Sequence, residues 1–237
     1  MTGVQTCALP ILFDMVNYPA TIIDDFYESP MKIRRYALEQ SYFFCHEKPD
    51  IKYVFPGMRT ADLSDLNSSL YQNVCKKIMS IFHIPEYDEL RFQLLTNFQI
   101  VQEKYQSGII HVDGDTIFSG ILFLTPDAPL NSGTSLYKPN AKFNQSAFQN
   151  ALDLNDSLFK ENLPVNFEHH DMFDETLRVN NLFNRLVIFE GHIPHSANNF
   201  FGTTKHNSRL TQVFFLKRLD AKKEYSIPLR RVRNIKM

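Results

Sequence analysis

His111-Val112-Asp113 is the sharpest chemical feature of this 237-residue sequence. On an extended strand, residues i and i+2 project from one face, so the imidazole and the carboxylate would stand side by side. Together they are two corners of a 2-His-1-carboxylate triad. That donor set suits non-heme Fe(II), because it fills one face of the ion and leaves positions for a co-substrate and oxygen. The third ligand must come from a later strand. His195, in the segment Phe189-Glu-Gly-His-Ile-Pro-His195, leaves room for several strands after Asp113. His192, three residues earlier, is a rival; His195 is preferred. A second His-x-Asp match, His169-His170-Asp171, lies in a polar stretch with too little chain before His195 for a crossing. It is read as a solvated pair on a loop.

Arg209 and Thr211 open a later apolar segment and would share one face of a strand. An arginine turned into a protein interior needs a partner, since a buried unpaired charge is very costly. A dicarboxylate co-substrate would supply one, because the planar guanidinium binds a carboxylate through two parallel bonds. Thr211 could donate its hydroxyl to the same carboxylate. The plainer reading is an arginine paired with a protein carboxylate at a strand end.

Helices and strands must carry these groups. Ser29-Pro30 signals a helix start, with a hydroxyl before a proline at the first helical position, and the helix is expected to reach about Phe43. Pro56-Gly57 marks a turn. Leu66, Leu70, Val74, Ile78 and Phe82 recur every fourth residue and predict a second helix, ended by Pro85. The period then changes. Phe92, Leu94, Phe98 and Ile100 alternate with Gln93, Asn97 and Gln99, which predicts a strand over 91–101 with one buried face. Strands are also expected at 116–125, 185–190 and 209–216. Residues 126–180, rich in Asn, Asp and Pro, read as loops with short helical turns. Their Phe143, Phe148, Phe159 and Phe167 read as loop anchors, with substrate walls as the other possibility. Helices followed by many strands predict an α+β domain with an antiparallel β core.

Composition narrows the classes. The formal net charge is −1, apolar residues make up 43% and aromatics 13%, as in a soluble globular chain. No run of about 18 apolar residues suggests a membrane span. Near-neutral charge argues against a dedicated nucleic-acid binder. Cys7, Cys45 and Cys75 do not make a disulfide framework, and the expected setting is reducing and cytoplasmic. Met1 to Ile11 (MTGVQTCALPI) resembles the translation of a sequencing adapter and is set apart from fold reasoning. It also imitates a short signal peptide, without the basic first region of one. The expected organisation is therefore a foreign segment at 1–11, a helical part at 12–90, a catalytic β core at 91–216 and a basic tail at 217–237. The tail carries eight Lys and Arg against two acids and reads as solvated.

Taken together, these residues resemble the Fe(II)/2-oxoglutarate-dependent dioxygenase superfamily, particularly its prolyl-4-hydroxylase-like members. The order His-x-Asp, distal His, Arg is that family's order. Tyr105-Gln-Ser-Gly108 leads into the His-x-Asp as a Y-x-x-G does there. Ser132-Gly-Thr-Ser-Leu-Tyr137 looks like the family's G-G-x-T-x-F, with Ser and Tyr as departures. Ile23-Asp-Asp-Phe-Tyr27 and Phe55-Pro-Gly-Met-Arg-Thr60 resemble an uncharacterised branch. The resemblance implies a double-stranded β-helix, or jelly roll, with N-terminal helices packed on it. It implies Fe(II) held by His111, Asp113 and His195, and 2-oxoglutarate bound by Arg209, with Thr211 and Tyr105 as further candidates for the same pocket. The implied reaction consumes O2 and hydroxylates a peptidyl side chain or a small metabolite, releasing succinate and CO2. Two other classes compete: a non-catalytic jelly-roll binding module, and a cupin-type metal enzyme that does not use 2-oxoglutarate.

Overall fold

The structure, a computed structural model, describes residues 20–48, 54–81, 90–161 and 163–221. Its strands in chain order are β1 (Thr21–Ile23), β2 (Phe43–Phe44), β3 (Met58–Arg59), β4 (Leu90–Val101), β5 (Phe118–Phe123), β6 (Thr134–Pro139), β7 (Phe173–Val179), β8 (Leu186–Glu190), β9 (His195–Ala197) and β10 (Arg209–Ala221). The helices are α1 (Pro30–Glu39), α2 (Leu63–Leu66), α3 (Ser68–Ser80) and α4 (Gln145–Lys160). Seven strands form one sheet in the order β1-β8-β5-β10-β4-β3-β2, and three form another in the order β7-β6-β9. Every ladder is antiparallel. A mixed helix and antiparallel-sheet architecture is therefore present, as the pattern predicts.

Side-chain alternation divides the interior into two layers. On β10, Leu210, Phe214 and Leu216 join Phe26, Val74, Ile78, Leu94 and Phe98 in a core between the large sheet and helices α1 and α3. On β8, Leu186 and Ile188 point the same way, whereas Val187 and Phe189 face the small sheet with Phe123, Leu136 and Val179. The opposite face of the large sheet thus looks toward the small one, and a cavity lies between them. The Ile23-Asp-Asp-Phe-Tyr27 segment docks the N-terminal strand: Asp24 takes a two-pronged ion pair from Arg185 at 2.6 and 2.8 Å, and Tyr27 donates its hydroxyl to Gln212.

Four sequence expectations need correction. The first helix stops at Glu39, because Gln40 turns extended (φ −75°, ψ 159°) and Phe43–Phe44 is drawn into pairing with Met58–Arg59. The second helix is two helices. Asn67 (φ −159°) breaks the stripe after Leu66, and its side chain accepts from Leu70 N to start α3 afresh. Phe82 and Pro85 lie outside the described residues. The stretch 126–180 is not loop: it holds β6, β7 and the 16-residue α4. Asn144 caps α4 at Ala147 N, and Phe148, Asn155 and Phe159 are buried along it. Asn155 there donates to Ala151 O and Asn166 O and accepts from Asn166 N, so a satisfied amide occupies a buried helix position. Finally, β10 runs on to Ala221, so the first residues assigned to a tail belong to the sheet. Met1 to Ile11, with Cys7, and the chain after 221 lie outside the described residues; Cys45 and Cys75 are both free and buried.

Candidate metal centre

The predicted triad converges. One ligand atom from each of His111, Asp113 and His195 lies within 4.8 Å of the others. His195 Nε2 stands 3.5 Å from Asp113 Oδ2, and His111 Nε2 stands 3.8 Å from Asp113 Oδ1. The local support differs from a simple strand. His111 forms an isolated antiparallel bridge with His195, each backbone N–H donating to the other's carbonyl at 3.1 and 2.9 Å. Asp113 N–H donates to Gly191 O at 2.8 Å. A Cβ on Gly191 would lie 2.1 Å from Thr116 Oγ1 and 2.7 Å from Asp113 O, so only glycine lets these two segments meet.

Both imidazoles are held in the same way. His111 Nδ1 lies 2.9 Å from Ile109 O, and His195 Nδ1 lies 2.8 Å from Ile193 O. A carbonyl only accepts, so each Nδ1 carries the hydrogen and each Nε2 offers its lone pair to the common point. Ser119 on β5 donates to Asp113 Oδ2 at 2.5 Å. The His195 side chain is 5% exposed and Asp113 17%, while His111 is 38% exposed at the cavity side.

Electrostatics set the protonation states that a metal needs. Burial, then the neighbouring His195 and Arg59, push His111 down to about 4 despite the pull of Asp113. Burial alone would raise Asp113, but contacts with His195, the His111 charge and the Ser119 hydroxyl outweigh it and hold the carboxyl well below the usual range. A neutral imidazole and an ionised carboxylate are both ready to ligate.

A cavity of about 520 Å³ opens beside the triad, lined by β4, β5, β10 and one face of α4. Arg209 enters it, 3% exposed, with Nε donating to Ser132 O at 3.1 Å and a terminal nitrogen to Gly133 O at 3.4 Å. Its guanidinium also lies over Phe123 and Phe200, at 5.5 and 5.7 Å. Burial lowers it to about 10. Among the described residues no carboxylate pairs with it, so the strand-end ion pair considered above is not what holds it. Thr211 lies on the same face of β10, fully buried, with Oγ1 lacking a partner.

The other sequence candidates fall elsewhere. His192 is exposed and lies 3.4 Å from Glu190, outside the triad. Tyr105 packs beside Phe159, 6.4 Å between rings, in a cluster with Cys45, Phe55 and Ile109, and does not line the cavity. Phe148 packs with Phe143 and Phe173, and Phe167 with the Phe159 cluster, as anchors; Phe159 also reaches the cavity wall. The His169-His170 pair is not solvated. His169 is 1% exposed and donates from Nε2 to Ile110 O at 3.0 Å, and His170 Nε2 accepts from Ile110 N at 3.0 Å. Two imidazoles therefore clamp both backbone groups of the residue before His111. Ser119 and this clamp are functional supports that the sequence reading passed over. A hydroxyl inside an apolar strand was the available signal for the first; nothing local signals the second.

The sequence matches the family of unknown function DUF6445 over residues 12–216. The chain belongs to this family. A search of curated protein sequences finds no match. Among solved structures, the chain is similar to HygX from Streptomyces hygroscopicus with nickel and 2-oxoglutarate bound, at 11% identity over 84% of this chain and 82% of that one, TM-score 0.49. It is similar to a Trichoplax adhaerens prolyl hydroxylase in complex with a hypoxia inducible factor peptide fragment, at 11% identity over 85% and 84%, TM-score 0.47. It is also similar to the non-heme alpha ketoglutarate dependent epimerase SnoN from nogalamycin biosynthesis, at 12% identity over 84% and 78%, TM-score 0.46. Among the described residues, no helix is long and apolar enough to cross a membrane.

Proposed function

We propose that this member of the DUF6445 family is an Fe(II)- and 2-oxoglutarate-dependent oxygenase built on a double-stranded β-helix. On this reading the two sheets form the catalytic core, and helices α1 and α3 pack on the large one. The observation that carries the reading is the pairing of two built features in one cavity. A His-Asp-His donor set has both Nε2 lone pairs turned inward by carbonyls behind them. Beside it stands a buried arginine with no carboxylate of its own among the described residues.

The donors fit Fe(II): two imidazoles and one carboxylate, with Ser119 fixing the carboxylate. When bound, Fe(II) with 2-oxoglutarate and O2 would supply oxidation of a substrate C–H bond coupled to formation of succinate and CO2. The chain's own part is positional and electrostatic. Arg209 binds the distal carboxylate of 2-oxoglutarate, and Thr211 Oγ1 donates to it. The carbonyls of Ser132 and Gly133 aim the guanidinium, and the Phe123 and Phe200 rings keep water from it. Free buried Cys45 and Cys75 support a reducing, cytoplasmic setting.

The test is turnover of 2-oxoglutarate alone. Purified protein with Fe(II) and O2 is expected to form succinate slowly, and Arg209→Ala to lose it while still binding metal. Succinate formation unchanged in Arg209→Ala would overturn the assignment of Arg209 to 2-oxoglutarate, and no succinate from a wild type that turns over another substrate would favour a metal enzyme that does not use 2-oxoglutarate. No succinate from folded, metal-loaded wild type would favour a binding module.

A further inference from the structure

The cavity holds a second guanidinium that neither the triad nor the co-substrate uses. Arg59 on β3 pairs in register with Gln99 on β4, and Gln99 with Thr211 on β10, so the three lie in one row across the cavity face. Gly57 makes this approach possible. Its φ is +71°, and a Cβ there would lie 2.1 Å from Ile100 O. The Arg59 guanidinium is flanked by Phe55 at 4.3 Å and by Phe215 at 5.5 Å.

Its polar edges are nearly empty. Of five N–H donors, one bond is made among the described residues, to Gln99 Oε1 at 3.2 Å. Gln99 is fixed in that orientation, because its own amide nitrogen donates to Pro56 O at 2.9 Å. Arg59 Nε is shielded from solvent and has no hydrogen-bond partner among the described residues. Among the described residues no carboxylate lies within ion-pair distance of Arg59. The other acids that line the cavity are placed elsewhere: Asp113 is held by the two imidazoles and Ser119, Asp115 pairs with Lys217, Asp62 accepts from Ser64 N and Thr96 N, Asp153 accepts from Gln149, and Asp156 stands on α4 beyond ion-pair distance.

A guanidinium enclosed with no carboxylate in contact, and with Asp113 favouring its charge only from a distance, is costly, so this one is kept for an anion that arrives. The unused donors of the guanidinium suit the oxygens of a planar carboxylate. Among the cations that line the cavity, Arg209 is assigned to the co-substrate and Lys217 pairs with Asp115, which leaves one guanidinium, suited to a carboxylate better than to a doubly charged phosphate. We infer that Arg59 binds the carboxylate of the primary substrate, which makes the substrate a small carboxylic acid. The inference rests on the assignment of Arg209 to 2-oxoglutarate. It also explains why one buried and one half-buried arginine share a cavity of about 520 Å³, a volume typical of small-molecule sites.

The test uses Mn(II)- and 2-oxoglutarate-loaded full-length protein without O2. The probes are N-acetyl-leucine, N-acetyl-phenylalanine and N-acetyl-glutamine, each against its primary amide. Paramagnetic broadening of probe proton lines reports binding next to the metal. At least one acid is expected to broaden at a concentration tenfold or more below its amide. Arg59→Gln is expected to erase that preference with Mn(II) and 2-oxoglutarate affinities unchanged, and Arg59→Lys to keep part of it. Equal acid and amide binding in wild type, no binding of any acid, or an unaltered preference in Arg59→Gln would overturn the inference. So would loss of 2-oxoglutarate binding in Arg59→Gln with retention in Arg209→Met, which gives Arg59 to the co-substrate. Failure of wild type to take up Mn(II) or 2-oxoglutarate would overturn the proposed function itself, and this inference with it.

Discussion

Ser119→Ala isolates the support of the metal carboxylate. Ser119 Oγ donates to Asp113 Oδ2 at 2.5 Å from within β5, and the residue is 3% exposed. A hydrogen bond to a charged group is worth about 1.5–3 kcal/mol. At about 1.4 kcal/mol per tenfold, its loss lowers metal affinity about 10- to 100-fold, which is also the usual range for losing a group that orients a ligand. The substitution removes one oxygen and leaves the strand pairing with Phe189 and Phe215 intact. The metal-free variant should therefore melt within about 10 °C of wild type, on a scale of about 2–4 °C per kcal/mol. The assay is a Co(II) titration followed by visible absorption, with thermal unfolding of the metal-free protein alongside. Co(II) affinity within twofold of wild type would refute the reasoning, since Asp113 would then keep its ligating position unaided.

Three further outcomes follow from the same geometry. Gly191→Ala places a methyl 2.1 Å from Thr116 Oγ1 and 2.5 Å from Thr116 O, and should destabilise the metal-free protein by about 2–4 kcal/mol in urea unfolding. His170→Leu leaves Ile110 N–H without its acceptor and should cost about 1–3 kcal/mol together with weakened metal binding. His170→Gln, which restores an acceptor, should recover part of both. For pH, burial pushes His111 and His170 down to about 4, while the unfolded chain titrates them near 6.5. Between those values the unfolded chain binds more protons, so stability of the metal-free protein rises with pH across this window and is lost as pH falls through it. Urea midpoints at pH 5 and 7 check the sign; a higher midpoint at pH 5 would contradict it.

How far the sequence carried this picture depended on whether the signal was local. The His-x-Asp spacing, a distal histidine after an apolar strand, and an arginine opening the next one are local, and the structure brings His111, Asp113, His195 and Arg209 to one cavity. Strands β4, β5 and β8 were legible because alternation or apolar runs marked them. Helix α4 was not, because Asn155 occupies a buried position while Leu154 is exposed, which blurs the apolar stripe. The His169-His170 clamp was misread because its polar neighbours suggest solvent, while its partner, Ile110, is remote in the chain and reached only through the fold. Arg59 was quoted only as part of a motif. Its significance depends on what does not contact it, and a sequence cannot display that.

The most direct test of the central claim is optical. Fe(II) and 2-oxoglutarate are added without O2 to wild type and to His111→Ala, and the visible charge-transfer band of the chelate is recorded. The account predicts a band in wild type that is absent in folded His111→Ala. A folded wild type with no band, or an equal band in His111→Ala, would contradict it.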